Sequence, residues 1–517
     1  MSNTFPPDAN QEAVFAFLGD LVRHPQVRRI DTHAASVFLE GDRALKIKRA
    51  VRFPFLDYST LEKRKRACED EIRINKPFAP GIYHRVVPIT RTQDGSLTVG
   101  GTGEPVEFAV EMTRFDESQT LDHLAERDDL NDKLAVRMAD AIAASHAAAA
   151  PTMTEPWVKS IQPVIDGYID AFQAGSWFAS HEIDQLREAT KSAFVHLKPA
   201  LEDRGRRGYV RRCHGDLHLA NIVLIGEQPV LFDAIEFDEQ IASIDVLYDL
   251  AFPLVDLLRY GREAAATYLL NRYLSITAVD HLDGLAALPL FMSMRSAIRA
   301  EVLLARLDRS GSDRDNILKV STTYFQLALH LIRPPRPLLV AIGGLSGTGK
   351  SVLAQALAPF IAPAPGAVLL RSDTLRKQLF GAQEPERLPA EAYRPEITAQ
   401  VYDIMIQRAA RVLSHGHSVV LDAVFADESE RAAAQAVATE SKVRFAGFFL
   451  VTDLATRQAR VGLRRSDASD ATPEIAGLQE RYDLGKISWT SIDASGTADG
   501  TLAQCQSRLS NAFREIG

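Results

Sequence analysis

Short apolar runs alternate with helical stretches in the last third of the chain. The runs are LLVAI (338–342), AVLL (367–370), SVVLD (418–422), FAGFFLV (445–451) and WTSID (489–493). Strands buried on both faces are continuously apolar, and parallel neighbours need helical crossovers between them. The alternation therefore predicts an α/β domain, with a parallel sheet covered by helices on both faces.

The pattern is different upstream, where strands and helices are segregated. Residues 30–115 are rich in strand patterns and hold one charged helix, whereas 120–200 and 240–330 are mostly helical. This order predicts an α+β domain with a small mixed lobe and a larger helical lobe. Three prolines in four positions (Pro334, Pro335 and Pro337) favour an extended connector. We expect domains over 1–332 and 338–517, joined by a Pro-rich linker over 333–337.

Composition narrows the class of protein. The 517 residues are 46% hydrophobic and 24% charged, with a net charge of −8. Such a chain needs more than one core, and its net charge argues against nucleic acid as a partner. No stretch has the roughly 18 uninterrupted apolar residues that a membrane span requires, and the amino terminus shows no secretory pattern. We expect a cytoplasmic protein with no membrane partner; the oligomeric state is not predicted.

The segment GGLSGTGKS (343–351) follows an apolar run and precedes a helical pattern, so it fits a phosphate-binding loop. Glycines let backbone N–H groups close around phosphates, Lys350 would reach the β- and γ-phosphates, and the Ser351 hydroxyl would ligate Mg²⁺. The candidate nucleotide-binding residues are Gly344, Ser346, Gly347, Thr348, Gly349, Lys350 and Ser351.

Two carboxylates and an arginine follow the next predicted strands. Asp373 lies just past the second strand, and Arg376 lies one helical turn beyond it. Because carboxyl strand ends converge on the ligand crevice of an open sheet, Asp373 could accept a proton from an attacking hydroxyl. Arg376 could hold an anionic group of the acceptor, and Asp422 could hold Mg²⁺ through water. A helix N-cap is the alternative role of Asp373.

Arginines gather after the fourth predicted strand. Arg457, Arg460 and Arg464 share one helical face, as a lid closing on a transferring phosphate would need. This part of the chain resembles P-loop kinases of the polynucleotide kinase, gluconate kinase and zeta-toxin type. GGLSGTGKS, SDTLR and the arginine-rich segment ending in SDASDA carry the resemblance. It implies ATP, Mg²⁺ and phosphoryl transfer to a hydroxyl.

The amino-terminal part holds a second candidate site in YVRRCHGDLHLANIVL (209–224), which fits H-G-D-x-x-x-x-N. Phosphoryl transfer needs a carboxylate beside the acceptor hydroxyl and an amide oxygen on a metal ion, and Asp216 and Asn221 have the required spacing. Asp233 follows another apolar strand and is the candidate for the second metal-binding carboxylate. For His214 we expect a structural role.

A lysine and a glutamate complete this predicted site. Lys46 and Lys48 alternate with apolar residues, so both point to one side of a strand, and one could bind the α- and β-phosphates. The other would lie on an exposed strand face. In the charged helix that follows, periodicity leaves Glu69 and Glu71 as possible partners of the lysine.

Residues from about 28 to 325 resemble the aminoglycoside phosphotransferase family, through HGDLHLAN, FDAIEF and IDVLYDLA. The resemblance implies a protein-kinase-like bilobal fold that uses ATP. Aligned to the family's pattern, the lysine is Lys46, the glutamate is Glu71, and Asp249 is structural. FAVEMTRF (108–115) would be the hinge, with the backbone of Glu111 and Met112 meeting adenine.

These observations predict a bifunctional kinase. Each of two ATP sites would catalyse Mg²⁺-dependent transfer of the γ-phosphoryl group to a hydroxyl of a small molecule. The acceptor at the carboxy-terminal site, here called the rear site, could be anionic. In a second hypothesis the amino-terminal domain, here called the front domain, is a non-catalytic sensor that gates the P-loop kinase. It is supported by DTHAASVFL, which stands where a glycine-rich phosphate loop is expected. A third hypothesis is a toxin-like or nucleic-acid-end kinase.

Overall fold

A computed structural model describes residues 9–20, 27–32, 34–53, 56–307, 313–383, 386–463 and 469–514. The described residues form two compact units: one comprises those within 1–167 and 198–256, and the other those within 168–197 and 257–517. None of the described helices combines the length and the apolar character needed to cross a bilayer.

The first half of the chain contains most of the β-hairpins. Its strands and helices are α1 (Ala9–Leu18), β1 (Arg28–Asp31), β2 (Ala35–Glu40), β3 (Arg43–Lys48), β4 (Arg52–Phe53), β5 (Leu56–Asp57), α2 (Leu61–Asn75), β6 (Tyr83–Arg91), β7 (Leu97–Val99), β8 (Glu104–Thr113), α3 (Leu121–Glu126), α4 (Asp132–Ala148), α5 (Thr154–Gly175), α6 (Ser180–Arg206), β9 (Val210–Arg212), β10 (Ile222–Ile225), β11 (Gln228–Leu231), α7 (Glu239–Ala242), β12 (Ser243–Asp245) and α8 (Val246–Arg259).

The second half is helical at first and then alternates strands with helices. Its elements are α9 (Glu263–Ile276), α10 (Leu288–Leu304), α11 (Arg314–Leu331), β13 (Leu338–Gly344), α12 (Lys350–Leu357), β14 (Val368–Arg371), α13 (Ser372–Leu379), α14 (Pro395–Ser414), β15 (Val419–Asp422), α15 (Glu428–Glu440), β16 (Arg444–Val451), α16 (Leu454–Gly462), α17 (Pro473–Leu478), β17 (Thr490–Asp493) and α18 (Ala498–Arg514).

In the first unit, the described strands include a six-stranded antiparallel sheet in the order β1-β2-β3-β8-β6-β7. Side chains alternate along β3 as the pleat requires. Leu45 and Ile47 join a core with Val14 of α1, so Lys46 and Lys48 point to the opposite face. That face is covered by α2, and the sheet therefore aims both lysines at this helix.

Two short antiparallel pairs position the segment with the H-G-D pattern. β9 pairs with β12, and β10 pairs with β11. The loop over 213–221 connects β9 to β10, and the segment after β11 returns beside it, where the Ile235 N–H donates to the His214 carbonyl oxygen at 3.0 Å. The pattern residues and Asp233 are thus held at the ends of two neighbouring pairs.

The second unit contains, among its described residues, a five-stranded parallel sheet in the order β14-β15-β13-β16-β17. Its strands are the five apolar runs predicted from the sequence, so the α/β prediction is confirmed. Val340, Ile342, Val420 and Leu450 build the core beneath α12. The carboxyl ends of β13, β14 and β15 lie side by side, which brings the phosphate-loop segment next to Arg371 and Asp422.

Helices that precede the Pro-rich linker also pack on this sheet. The Asn271 side chain of α9 donates to the Ala367 carbonyl oxygen at 3.0 Å and accepts from the Leu369 N–H at 2.6 Å, so it caps the edge strand β14. Arg411 of α14 pairs with Asp280 at 2.8 Å. The proposed domain boundary at 333–337 stays a prediction; within the second unit, residues on both sides of it share one packing interface.

Candidate active sites

Glu71 joins both candidate lysines of the first unit. It lies on the buried face of α2, and its carboxylate accepts from Lys46 Nζ at 2.8 Å and contacts Lys48 Nζ at 2.7 Å. Glu69 is more than half exposed and lies 3.7 Å from Lys65. The structure therefore brings Glu71, and not Glu69, to the lysines. Because the Lys48 side chain is only 3% exposed, the expectation that one lysine lies on an exposed face is wrong.

Two acids from the segment after β11 extend this cluster. Lys46 Nζ also donates to Asp233, and Lys48 Nζ donates to Glu236. Burial opposes the charge of Lys46, but Asp233 and Glu71 outweigh it and hold its pKa well above the ordinary value. Both lysines therefore stay charged, and they tie β3 and α2 to the Asp233 segment. Neither spacing nor composition predicts the Glu236 contact.

Asp216 and Asn221 meet within one loop. The Asn221 amide donates from Nδ2 to the Asp216 carbonyl oxygen at 2.9 Å, which leaves the side-chain oxygen of Asn221 for another partner. The Asp216 side chain is 43% exposed. Because it is partly exposed, the Asp216 carboxylate is accessible to a hydroxyl that arrives from solvent, and its catalytic role stays a prediction.

The loop is held from behind by buried groups. Asp249 accepts from the Gly215 N–H at 2.9 Å and from the His214 N–H at 3.3 Å. His214 Nε2 donates to the Phe232 carbonyl oxygen at 2.8 Å, and burial lowers the pKa of this imidazole, so it is neutral. His146 Nε2 lies 3.1 Å from Asp249 Oδ2, the oxygen that also accepts from the His214 N–H. These contacts confirm the structural roles expected for Asp249 and His214.

The predicted hinge residues lie inside the sheet. Glu111 and Met112 of β8 are paired with residues of both β3 and β6, and the Glu111 carboxylate binds Arg43 and Arg85 at 2.7 Å each. The chain leaves the sheet only after Thr113. The structure thus places Glu111 and Met112 in a paired strand, because the hydrogen-bond ladder extends farther than the apolar pattern indicates.

The phosphate-loop segment of the second unit closes tightly before α12. Gly347 has φ 88°, and a Cβ atom there would lie 2.5 Å from the Arg457 carbonyl oxygen, so glycine is required. Gly349 caps α12 with φ 94°, which places Lys350 and Ser351 at the helix start. Lys350 Nζ donates to the Leu345 carbonyl oxygen at 3.2 Å. The remaining predicted residues of this turn are Gly344, Ser346 and Thr348.

Residues far along the chain support this turn and were not predicted to do so. The Ser346 N–H donates to the Gln479 side-chain oxygen at 2.7 Å. Arg457, only 1% exposed, donates to the Ser346 carbonyl oxygen at 3.5 Å and pairs with Glu480. Ser346 lies more than 100 residues from both Gln479 and Arg457, and Gln479 belongs to no recognisable motif, so local patterns carry no signal for these contacts.

Asp373 and Asp422 lie at neighbouring strand ends, as predicted. Asp422 is buried and accepts from Arg371 Nε at 3.2 Å, a partner that the sequence did not reveal. Burial and then the nearby Asp422 charge raise the pKa of Asp373, although Arg371 opposes the shift. A raised pKa suits a proton acceptor. The N-cap of α13 is Arg371, which excludes the alternative N-cap role of Asp373.

The predicted arginines of the rear site have other partners. Arg376 is buried and donates from Nη1 to the Ala392 carbonyl oxygen, so it holds the segment before α14. Arg460 donates to the carbonyl oxygens of Ala494 at 2.8 Å and of Gly496 at 2.9 Å. The lid role of Arg460 is therefore wrong, because its guanidinium supports the turn after β17. Arg464 lies outside the described residues.

A family model described as "Phosphotransferase enzyme family" matches residues 30–288, which is half of the chain. The chain belongs to the phosphotransferase enzyme family. A second model, described as "AAA domain", matches residues 339–482, the P-loop part of the protein. Both predicted resemblances are thus confirmed: a phosphotransferase domain of kinase-like fold precedes a P-loop kinase domain, and the protein is an enzyme of phosphoryl transfer.

Two mycobacterial proteins align with this chain over most of its length. The uncharacterized proteins Rv2004c of Mycobacterium tuberculosis and Mb2027c of Mycobacterium bovis are each 27% identical to this phosphotransferase over 499 residues, with 92% of this chain and 93% of the relative covered. Among solved structures, a choline/ethanolamine kinase family protein from Mesorhizobium loti is 16% identical (TM-score 0.38, 62% of this chain, 98% of that chain). A gluconokinase from Sinorhizobium meliloti is 19% identical (TM-score 0.25, 35% and 98%).

Proposed function

We propose that the protein is an ATP- and Mg²⁺-dependent phosphotransferase with two ATP sites, each transferring the γ-phosphoryl group to a hydroxyl of a small, sugar-like or similar molecule. One observation supports the proposal: each unit has its own aspartate that would serve an acceptor hydroxyl and its own lysine that would bind phosphates. These are Asp216 with Lys46 in the first unit and Asp373 with Lys350 in the second.

In the front site, half-exposed Asp216 would orient the acceptor hydroxyl and accept its proton, while Lys46 would hold the α- and β-phosphates. The side-chain oxygen of Asn221 and the Asp233 carboxylate are the hard oxygen donors that Mg²⁺ prefers, and the Asn221 amide is already oriented by Asp216. Bound Mg²⁺ would neutralise developing phosphate charge.

In the rear site, Asp373 would accept the acceptor proton, and Lys350 would move from the Leu345 carbonyl to the phosphates. The Ser351 hydroxyl and buried Asp422 are the oxygen donors for Mg²⁺. We propose an anionic acceptor here because Arg376 is buried and its Nε, among the described atoms, lacks a hydrogen-bond partner. For both sites we propose small-molecule acceptors, with no nucleic-acid or membrane partner.

The test uses the full chain and ATP consumption with a panel of sugars, sugar acids and amino alcohols. Asp216→Asn and Asp373→Asn keep side-chain shape but remove the base, so each is expected to lower turnover of a different acceptor group about 10²–10⁴-fold. Asp403→Asn, on an exposed position of α14, is the matched control. Full turnover of every acceptor by Asp216→Asn would contradict the front assignment, and the same result for Asp373→Asn would contradict the rear one.

The alternative is a front domain that binds a small molecule without catalysis and gates the P-loop kinase. One observation favours it: the turn between β1 and β2 is closed by its own groups. Thr32 donates its N–H to the Ala35 carbonyl oxygen at 2.8 Å, and the Ala35 N–H donates to the Thr32 hydroxyl at 2.9 Å. Those two N–H groups are therefore already bonded, whereas a glycine-rich loop would offer its amides to phosphates.

A further inference from the structure

A cavity of about 200 Å³ lies in the second unit, between α9 with the turn after it and the β14–α13 segment. Its lining includes the apolar side chains of Leu274, Leu282 and Val368 and the polar side chains of Thr374, Gln378 and Arg408. The phosphate-loop residues and Asp373 are not among the residues that line the cavity, but Arg371, which bonds Asp422, is one of them. The cavity therefore adjoins the proposed rear active site at Arg371, and the rest of its lining lies outside that site.

Side-chain hydrogen bonds connect the elements that surround the cavity. Asn271 bonds the edge of β14 on one side of it, as described above. On the other side Gln378 of α13 donates from Nε2 to the Ser275 carbonyl oxygen at 2.8 Å and accepts from Arg408 Nη1 at 2.8 Å. Side-chain hydrogen bonds therefore join α9 to β14 and α13 beside the cavity, and α13 to α14.

Arg371 and Arg408 are the charged residues that line the cavity; Arg371 pairs with Asp422, whereas Arg408 lacks a carboxylate partner among the described residues. Its hydrogen bond goes to the neutral Gln378. Arg411, one turn further along α14, is paired with both Asp280 and Asp283. Burial, together with the nearby Arg411 charge, lowers the pKa of Arg408. A partly buried guanidinium without a counter-ion is costly, so an anion placed beside it would be stabilised.

We propose that this cavity binds a small anion that carries an apolar portion. The anionic group would face Arg408, Gln378 and Thr374, and the apolar portion would lie against Leu274 and Leu282. The volume is smaller than that of sites for drug-sized ligands, so the occupant is metabolite-sized. A carboxylate and a phosphate monoester share the required charge, and the experiment separates these two sources.

The experiment is calorimetric titration of the full chain, without nucleotide, using isovalerate as the carboxylate probe and inorganic phosphate as the phosphate probe. At least one probe is expected to bind with a Kd on the order of 1 mM or tighter. Arg408→Gln should weaken that binding about tenfold or more, because a charge-assisted contact is lost. Arg508→Gln changes an exposed arginine of α18 and should leave it unchanged.

Leu282→Trp is a second variant, which fills part of the cavity beside its apolar lining and leaves Arg408 in place. It should reduce isovalerate binding. Loss of isovalerate binding in both cavity variants identifies a carboxylate ligand, and phosphate binding that depends on Arg408 identifies a phosphate ligand. If neither probe binds, or if Arg408→Gln binds both as the wild type does, the proposal is overturned. These readouts do not use turnover, so they are independent of the proposed function.

Discussion

Protonation of His417 is expected to destabilise the second unit at acidic pH. His417 precedes β15 and is 1% exposed, and its Nε2 donates to the Gly366 carbonyl oxygen at 2.9 Å. Among the described side chains, its Nδ1 is buried without a hydrogen-bond partner. A second proton would therefore place a charged N–H where no acceptor faces it. Burial accordingly lowers the pKa of His417 to about 4.

The magnitude follows from the difference between the folded and unfolded pKa values. The unfolded chain binds this proton below about pH 6.5, whereas the folded chain binds it only near pH 4. Stability from His417 is thus present above pH 6.5 and is lost as the pH falls toward 4. Between pH 7.5 and pH 5.0 the loss from this single group is about 2 kcal/mol.

The assay is urea denaturation of the wild type and of His417→Gln at both pH values. Glutamine keeps a donor near the position of Nε2 but does not titrate, so the wild type should lose about 2 kcal/mol more than the variant between pH 7.5 and 5.0. Exposed His196 supplies the control, since His196→Gln should lose as much as the wild type. Equal losses for the wild type and His417→Gln would refute the argument.

Two further substitutions test contacts of the active-site regions. Glu71→Gln should lower the free energy of unfolding by roughly 3–5 kcal/mol, because two buried lysines would lose their shared carboxylate. The control Glu69→Gln changes an exposed residue and should alter the free energy of unfolding by no more than about 0.5 kcal/mol in the same urea titration. Similar losses for both variants would contradict the pairing of Glu71 with the lysines. Arg460→Ala removes two hydrogen bonds to carbonyl oxygens, so it should lower the free energy of unfolding by roughly 1.5–3 kcal/mol and leave rear-site turnover nearly unchanged. Arg508→Ala, at an exposed position, is the control. A large fall in turnover at unchanged stability would restore the lid role of Arg460.

Local patterns were sufficient to predict the elements that build each site. The five apolar runs of the last third are the five described strands of the parallel sheet, because buried parallel strands leave a continuous apolar signal. The phosphate-loop segment, Asp373 and Asp422 follow from where these strands end. The H-G-D pattern likewise places Asp216 and Asn221 within one short loop, whose spacing is fixed by the chemistry it serves.

Contacts between distant segments could not be predicted in the same way. The sequence pattern places Arg460 on one face of a helix, but only tertiary packing brings its guanidinium to the turn after β17. The same holds for the contact of Gln479 with Ser346 of the phosphate loop and for the contact of Lys48 with Glu236, since the partners of each contact are more than 100 residues apart. Asn271 extends this point to domain organisation, because a single amide caps a strand that follows the Pro-rich linker.

The number of nucleotide sites tests the two-site proposal most directly. Calorimetric titration of the full chain with a nonhydrolysable ATP analogue and Mg²⁺ is predicted to show two sites per chain. Lys350→Ala should abolish one of them, and Asp233→Ala should abolish Mg²⁺-dependent binding at the other. A single site in the wild type that disappears completely in Lys350→Ala would contradict the proposal, because the front domain would then bind no nucleotide.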